Sequence, residues 1–198
     1  MATEALARVK DLPGLFRSQE AHDVGLHWRD LYRLRDEGVL LELSRGLYRL
    51  AELPALQHQD FVVVCTRAPQ GMICLDSALA HWDLSDEIPS EVHLAVPRGS
   101  HRPSIDYPPT KVHVFSAANF ELGRERGGPE GEEFFIASRE RSVVDAFRCR
   151  RLLGEQAAYD ALRRYLAQPR PQPGLLVEMA RELRAEASVT AALRMLLP

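Results

Sequence analysis

Basic and aromatic side chains recur in one short N-terminal stretch, at spacings that suit contact with duplex DNA. Arg29 and Arg33 are four residues apart, so both point to the same side of a helix. A helix of this size fits the major groove of B-DNA, and arginine is the side chain best able to bond the O6 and N7 edge of guanine. The predicted DNA-facing residues of this helix are His27, Trp28, Arg29, Tyr32, Arg33 and Arg35.

Glycines and a cap residue divide the surrounding sequence into two helices. Ser18 is predicted to cap a short helix that runs through Val24, because its side-chain oxygen can accept free backbone N–H groups. Gly25 follows where a helix-turn-helix needs a residue that tolerates a tight turn. The second helix is predicted at about 27–37, and Gly38 ends it as a C′ glycine.

Two strands joined by a tight turn are predicted directly after this helix. In residues 39–44, the side chains of Val39, Leu41 and Leu43 alternate with those of Leu40, Glu42 and Ser44, which is the period of a strand. Arg45-Gly46 makes the turn, and residues 47–50 return as the second strand. We expect Arg45 at the tip and Arg49 on the second strand to lie over DNA phosphates, which position a protein without reading sequence. The whole pattern predicts a winged helix-turn-helix.

Charge limits how strongly such a domain can bind DNA. The net charge is −3, and residues 1–51 carry eight basic and eight acidic side chains. Residues 52–138 carry six basic and thirteen acidic side chains, whereas residues 139–184 carry ten and six. Because nonspecific affinity depends on neutralising phosphates, we expect salt-sensitive binding through a local patch. A second interpretation stays open, in which the arginines are solvated and pair with Asp30, Asp36 and Glu37.

The stretch resembles the N-terminal domain of AbiEi-type antitoxins, a family of type IV toxin–antitoxin systems. That family carries a glycine, a short helix, Leu-x-x-Leu, a second glycine and an Arg-Gly-Val-Tyr wing. The residues that match are Gly25, Leu31, Leu34, Gly38, Arg45, Gly46 and Tyr48, with Leu47 in place of the commoner valine. A later segment is similar to the family's Ser-x-x-Arg-Thr-x-x-Asp segment; it contains Ser138, Arg141 and Asp145, with Ser142 in place of threonine.

The resemblance implies a function that the residues alone do not give. Members of this family are bacterial antitoxins that repress their own promoter through the N-terminal domain. Their C-terminal domain counters a nucleotidyltransferase toxin, generally without a stable complex. We therefore expect double-stranded DNA as a partner, with the chain's own promoter as the target, and a functional pairing with such a toxin. A stand-alone regulator without a toxin stays open.

The fold class expected for the whole chain is α+β, in two domains. Residues 1–55 are predicted to form the winged helix-turn-helix, and residues 56–198 a mixed α+β domain with a helical C-terminus. Residues 61–65 fit either a strand or a short helix. Strands are predicted at 72–75, 92–96, 112–115 and 134–137, and helices at 76–82, 138–153, 155–167, 174–185 and 189–196.

Two basic segments of the second domain are candidates for secondary contacts with DNA or a partner. Arg98 and Arg102 lie in a loop between two predicted strands, where a solvated hairpin is the alternative. Arg141, Arg148 and Arg151 lie close to one face of a predicted helix and would lengthen a DNA footprint. The acidic segments 83–91 and 121–133 would repel DNA and are expected to face a basic partner.

No pattern in the sequence predicts an enzyme, a metal site or a cofactor. His93 and His113 fall on adjacent predicted strands, but the chain has no His-x₃-His or His-Glu-x-x-His spacing, and we expect both on a solvent face. The three cysteines show no Cys-x-x-Cys spacing. Two other classes stay open: a module whose winged helix binds a protein, and a nuclease with a helix-turn-helix appendage.

Hydropathy places the expected location in the cytoplasm. No run approaches the eighteen or so apolar residues of a membrane span, and the N-terminus lacks the apolar core of a signal peptide. We therefore expect no contact with a membrane.

Overall fold

The computed structural model describes the backbone of residues 2–196 and the side chains of residues 4–196. Its N-terminal part has the element order of a winged helix. The elements are α1 (Ala2–Lys10), β1 (Leu15–Arg17), α2 (Ser18–Asp23), α3 (Trp28–Asp36), β2 (Leu40–Ser44) and β3 (Leu47–Leu50). The predicted helix-turn-helix and wing are therefore present, and no end of these elements differs from its predicted position by more than one residue.

Local backbone chemistry sets the ends of these two helices. Helix α2 begins at Ser18, so the cap residue is Arg17 and the prediction of Ser18 as the cap was wrong; Glu20 instead accepts the N–H of Arg17 at 2.6 Å. Helix α3 ends before Gly38, whose φ is +74°. Only glycine adopts this left-handed conformation without strain, which confirms the predicted C′ glycine.

A third strand changes the environment of the wing. Strand β1 pairs antiparallel with β3, and β3 pairs antiparallel with β2, so β3 is the central strand of a three-stranded sheet. The sequence predicts only a two-stranded wing because three residues are too few to show alternation. Every residue of β3 is buried as a result, including Arg49.

The second part of the chain is a mixed α+β structure, as predicted. Its first elements are α4 (Gln59–Arg67), β4 (Met72–Ile73), α5 (Leu75–His81), β5 (Val92–Pro97), β6 (Thr110–Phe115), β7 (Arg124–Gly127) and β8 (Phe134–Ala137). Helices α6 (Arg139–Arg148), α7 (Arg150–Leu153), α8 (Glu155–Ala167), α9 (Pro173–Glu182) and α10 (Glu186–Leu196) complete the described chain. The segment 61–65, which fits a strand or a helix, is helical.

The five strands of the second sheet are ordered β6-β5-β4-β8-β7. Strands β5 and β6 are parallel, so the loop between them is a crossover connection and the hairpin alternative was wrong. Strands β4 and β8 are also parallel, while the β4–β5 and β7–β8 pairs are antiparallel. Helices α4 and α5 pack on this sheet, and the C-terminal helices enclose α6 in a separate apolar cluster.

The wing is packed into the second part of the chain. The first apolar cluster joins α1, α2 and α3 to the strands through residues such as Phe16, Leu31 and Leu34. Leu43 and Leu47 of the wing belong instead to the cluster formed by α4 and the five-stranded sheet. The predicted domain boundary near residue 55 stays a prediction. The wing contacts apolar residues that precede this position and apolar residues that follow it. None of the helices in residues 2–196 combines the length and apolar composition needed to cross a membrane.

Candidate nucleic-acid interface

Helix α3 exposes one face to solvent along its whole length. Its first turn is fixed by His27, whose Nδ1 accepts the N–H of Arg29 at 3.3 Å, and by Asp30, which accepts the N–H of His27 at 3.1 Å. Leu31 and Leu34 are buried. The opposite face therefore carries the side chains predicted to meet DNA, of which His27, Trp28, Arg29 and Tyr32 are exposed.

Two arginines of α3 are held by carboxylates of the same domain. Arg33 lies 3.0 Å from Asp30 and 3.9 Å from Glu37. Arg35 donates to Asp36 at 3.0 Å and to Glu42 of β2 at 3.1 Å, and these bonds raise the pKa of Arg35 above its ordinary value. Part of the alternative interpretation is therefore correct, since both positive charges are compensated within the domain.

Arg29 and Arg45 differ from these two. Within the part of the chain that the structure describes, neither guanidinium lies within 4.0 Å of a carboxylate, and both residues are exposed. Arg29 lies over the ring of Trp28, with its guanidinium carbon 5.2 Å from the ring centroid. One uncompensated cation thus stands on the helix and another at the wing tip, which are the two places where a winged helix meets nucleic acid.

The structure contradicts the predicted surface position of Arg49. This side chain is only 3% exposed, and its guanidinium donates to the carbonyl of Pro54 in the segment after the wing. The prediction assumed a two-stranded wing with one solvated face. Because β3 is the central strand and the following segment covers it, Arg49 ties that segment to the sheet and is not available for phosphates.

Sequence reasoning missed two arginines beside the wing tip. Arg67 at the end of α4 donates to the carbonyl of Arg45, and Arg17 donates to the carbonyl of Thr66. The N–H of Ser18 also donates to the carbonyl of Gly46 at 2.9 Å. Carbonyl groups at a helix C-terminus attract cations, so a predicted helix ending at Arg67 would have been the signal. These bonds bring the side chains of Arg17 and Arg67 to the place where the end of α4 meets the wing turn. Among the described residues, neither of them nor Arg45 has a carboxylate partner.

This N-terminal arrangement can now be compared with known proteins. The family model described as "Transcriptional regulator, AbiEi antitoxin" aligns with 48 of the 198 residues, from 4 to 51. Residues 4–51 are similar to AbiEi-type regulators, and we call them the AbiEi-type segment. The predicted resemblance is confirmed for this segment, which includes α3 and the wing. The match does not reach the Ser138–Asp145 segment, whose similarity to the family stays a prediction.

A solved structure shares the fold of almost the whole chain. The crystal structure of the RV2827C protein from Mycobacterium tuberculosis aligns with a TM-score of 0.57 and 15% sequence identity. The alignment covers 96% of this chain and 79% of that chain. At this identity the likeness shows a common fold alone. No curated protein sequence matches the chain.

The secondary candidates outside the AbiEi-type segment divide into exposed and buried residues. Arg98 and Arg102 are exposed in the crossover between β5 and β6, and Arg151 is exposed on α7. The surface position predicted for Arg141 was wrong, because this side chain is 1% exposed. Its Nε donates to Asp145 at 2.8 Å and its Nη1 to the carbonyls of Asn119 and Leu122.

The Ser138–Asp145 segment forms a closed set of internal bonds. Ser138 caps α6 by accepting the N–H of Arg141 at 3.1 Å, and Ser142 donates to the carbonyl of Ser138 at 2.8 Å. Asp145 is fully buried and also accepts from Arg148, which keeps 24% of its side chain exposed. The arrangement fixes the start of α6 and joins it to residues 119–122, so the role of this segment in the fold is structural.

Acidic side chains of the second part are already engaged in several places. Asp86 pairs with Arg164, Glu121 lies 3.2 Å from Arg124, and Glu133 lies 4.0 Å from Arg126. Ile88, which lies within the segment 83–91, is 94% exposed. A basic partner for the segments 83–91 and 121–133 stays a prediction, which these internal pairs weaken.

The histidines on β5 and β6 are neighbours, and His93 is buried whereas His113 is half-buried. His93 is 5% exposed, its ring centroid lies 5.0 Å from that of His113, and its Nδ1 lies 3.6 Å from Asp76. Burial lowers the pKa of His93 even with Asp76 nearby. The predicted solvent face was wrong for His93 because α5 packs on β5, and Ser77 of α5 accepts the N–H of His93 at 2.9 Å.

A cavity of about 490 Å³ lies beside this region, lined by residues that include His58, Phe61, His81 and Glu91. The rings of His58 and His81 are 4.8 Å apart, and burial lowers the pKa of His81. Within residues 2–196, no three His, Cys, Asp or Glu side chains stand close enough to hold a metal ion together.

Acidification is expected to destabilise the fold through His113. Burial, with a contribution from His93, lowers the pKa of His113 from 6.5 to about 4. The unfolded chain therefore takes up this proton at a higher pH than the folded chain does. The stability that depends on neutral His113 is complete above pH 6.5 and is lost as pH falls toward 4.

The effect is measured by comparing unfolding free energies at pH 7 and pH 5 for the wild type and His113→Gln. We expect the wild type to lose about 1 kcal/mol more than the variant, a value reduced from the full shift because the side chain is only half-buried. Equal pH dependence of the two proteins would show that His113 is not the group responsible.

Proposed function

We propose that the chain is a DNA-binding transcriptional regulator that represses its own promoter. Helix α3 would lie in the major groove with Arg29 toward the base edges, and the wing would place Arg45 over the phosphates. The observation that carries the proposal is that these two uncompensated arginines occupy the helix and the wing tip of an AbiEi-type segment. A cytoplasmic location, where the promoter lies, and the lack of a catalysed reaction are parts of the same proposal.

A reporter gene placed under the chain's own upstream region tests repression. We expect expression of the wild-type protein to lower reporter output and Arg29→Ala with Arg45→Ala to restore it. Arg163→Ala is the matched control, since Arg163 is an exposed arginine of α8 that pairs with Asp160. Reporter output that the wild type leaves unchanged would contradict autoregulation.

The antitoxin role is a further part of the proposal. Its support is the family match over residues 4–51, together with the similarity of the Ser138–Asp145 segment to the family. We propose that the second part of the chain counters a nucleotidyltransferase toxin encoded beside it. Expression of the neighbouring gene alone should arrest growth, and co-expression of this chain should restore it. Growth arrest that persists with both genes expressed would remove the antitoxin role.

A second candidate function is a module whose winged helix binds a protein. The observations that favour it are the zero net charge of residues 1–51 and the exposure of Trp28 and Tyr32 on α3. DNA affinity that is weak and independent of salt would favour this candidate. A steep fall of affinity with salt would favour DNA, because phosphate contacts release counterions.

Arg67 offers a test of the extended phosphate contact beside the wing. We expect Arg67→Gln to weaken binding to every duplex sequence alike and to reduce the slope of log K against log salt by about 1, as the loss of one phosphate contact should. The measurement is a set of titrations at several salt concentrations, with Arg163→Gln as the control. An unchanged salt slope would mean that the footprint ends at the wing.

A further inference from the structure

The exposed face of α3 is aromatic. Trp28 is 54% exposed and Tyr32 is 44% exposed, and their ring centroids lie 5.6 Å apart in an edge-to-face arrangement. Neither ring contributes to the apolar cluster of the N-terminal domain, which uses Leu31 and Leu34 of the same helix. Two adjacent large rings left in water on one helix form a surface that is suited to contact with an apolar partner.

Cations stand beside this aromatic face. The guanidinium carbon of Arg29 is 5.2 Å from the Trp28 ring centroid, and that of Arg35 is 4.9 Å from the Tyr32 ring centroid. The donors of Arg33 and Arg35 are engaged by carboxylates, so Arg29 is the helix arginine that remains to bond a guanine among the described residues. Recognition through arginine alone would therefore read very little sequence.

Apolar groups in the major groove offer a second means of recognition. Thymine is the base whose C5 methyl group projects into that groove, where apolar side chains contact it. We propose that Trp28 and Tyr32 contact thymine methyl groups and so make α3 selective for A·T pairs. The flanking arginines suit a polyanion that carries such methyl groups. This inference rests on the proposed DNA-binding function and names the side chains that give it sequence preference.

The spacing of the two rings sets the spacing of the bases. Four residues of α-helix rise about 6 Å, which is roughly two steps of 3.4 Å along a DNA strand. The contacted thymines should therefore lie about two base pairs apart in the operator, next to the base pair that Arg29 reads.

DNA that lacks only the methyl groups provides the test. The chain's upstream region is amplified once with thymidine and once with deoxyuridine triphosphate, since uracil is thymine without its C5 methyl group. We expect the full chain to bind the thymine duplex about tenfold more tightly than the uracil duplex, because two methyl contacts are lost. The Trp28→Ala, Tyr32→Ala double variant should bind the two duplexes alike and keep its salt dependence.

Leu41→Ala is the matched control. Leu41 on β2 is apolar and 44% exposed, as Tyr32 is, but it lies outside α3. Its removal should therefore leave unchanged the ratio of the affinities for the thymine and uracil duplexes, the thymine-to-uracil ratio. Equal affinity of the wild type for both duplexes, with the preference for upstream over random DNA retained, would overturn the inference and leave the proposed function standing. No preference for upstream over random DNA would overturn both. A double variant that loses self-association and keeps the thymine-to-uracil ratio would assign the face to a second copy of the chain.

Discussion

Asp145→Ala is expected to lower the free energy of unfolding by about 3–5 kcal/mol. Asp145 is fully buried between Arg141, whose Nε lies 2.8 Å from one carboxylate oxygen, and Arg148, which pairs with the other. Removal of the carboxylate leaves the charge of Arg141, which is 1% exposed, without its counterion in the interior. Equilibrium unfolding in urea, followed by circular dichroism, measures the loss.

Asp160→Ala is the matched control for this prediction. Asp160 also pairs with an arginine three residues away on a helix, but 41% of its side chain and 60% of that of Arg163 are exposed. Water screens such a pair, so the change should stay under about 1 kcal/mol. Similar losses for Asp145→Ala and Asp160→Ala would contradict the structural role given to the buried set.

The double change Arg29→Ala and Arg45→Ala is expected to weaken binding to upstream DNA by about a hundredfold. A base contact from Arg29 accounts for about 1–3 kcal/mol of discrimination, and the loss of Arg45 removes a phosphate contact together with its counterion release. Both side chains are exposed and lie away from carboxylates within residues 4–196, so the fold should be unaffected. Fluorescence anisotropy titrations with upstream and random duplexes measure both effects.

The single variants Arg33→Ala and Arg163→Ala are the controls for this prediction. Arg33 lies on the same helix as Arg29 but is held by Asp30 and Glu37, so its removal should cost less affinity than the removal of Arg29. Arg163 lies on α8 and should have no effect. A larger loss of affinity with Arg33→Ala than with Arg29→Ala would assign the base contact to Arg33 instead of Arg29.

The N-terminal fold could be predicted from sequence because its signals are local. Gly25, Gly38 and the Arg45-Gly46 turn mark the ends of elements through backbone conformation, and the structure gives φ values of +83°, +74° and +69° to the three glycines. The spacing of Leu31 and Leu34 likewise fixes the buried face of α3. Such features depend on residues within one or two turns of each other.

Long-range pairing explains the errors. Arg49 was expected on a solvated face because β1, a strand of three residues that is distant from β3 in the chain, gives no pattern that predicts its pairing with β3. Arg141 was expected at the surface because charge usually indicates exposure, whereas Asp145 and two backbone carbonyls satisfy it in the interior. His93 and His113 were correctly placed on adjacent strands, but the sequence does not show that α5 packs over His93.

The sequence predicts which elements form the candidate interface, but not which of its arginines pair with carboxylates. The helix and the wing tip were identified from residue types and spacing, but the neutralisation of Arg33 and Arg35 depends on the rotamers that reach Asp30, Asp36, Glu37 and Glu42. Arg67 was missed since its position beside Arg45 depends on how the wing packs on α4. The sequence pattern identifies the arginines of the candidate interface. Tertiary contacts determine which of these arginines pair with carboxylates.

Binding of the full chain to its own upstream DNA tests the central claim most directly. Fluorescence anisotropy would compare a labelled upstream duplex with a scrambled duplex of equal length at about 50 mM and about 200 mM salt. We predict tighter binding to the upstream duplex at both salt concentrations and weaker binding to each duplex at the higher one. Equal affinity for the two duplexes, or affinity that does not change with salt, would contradict the assignment of α3 and the wing as a DNA-reading surface.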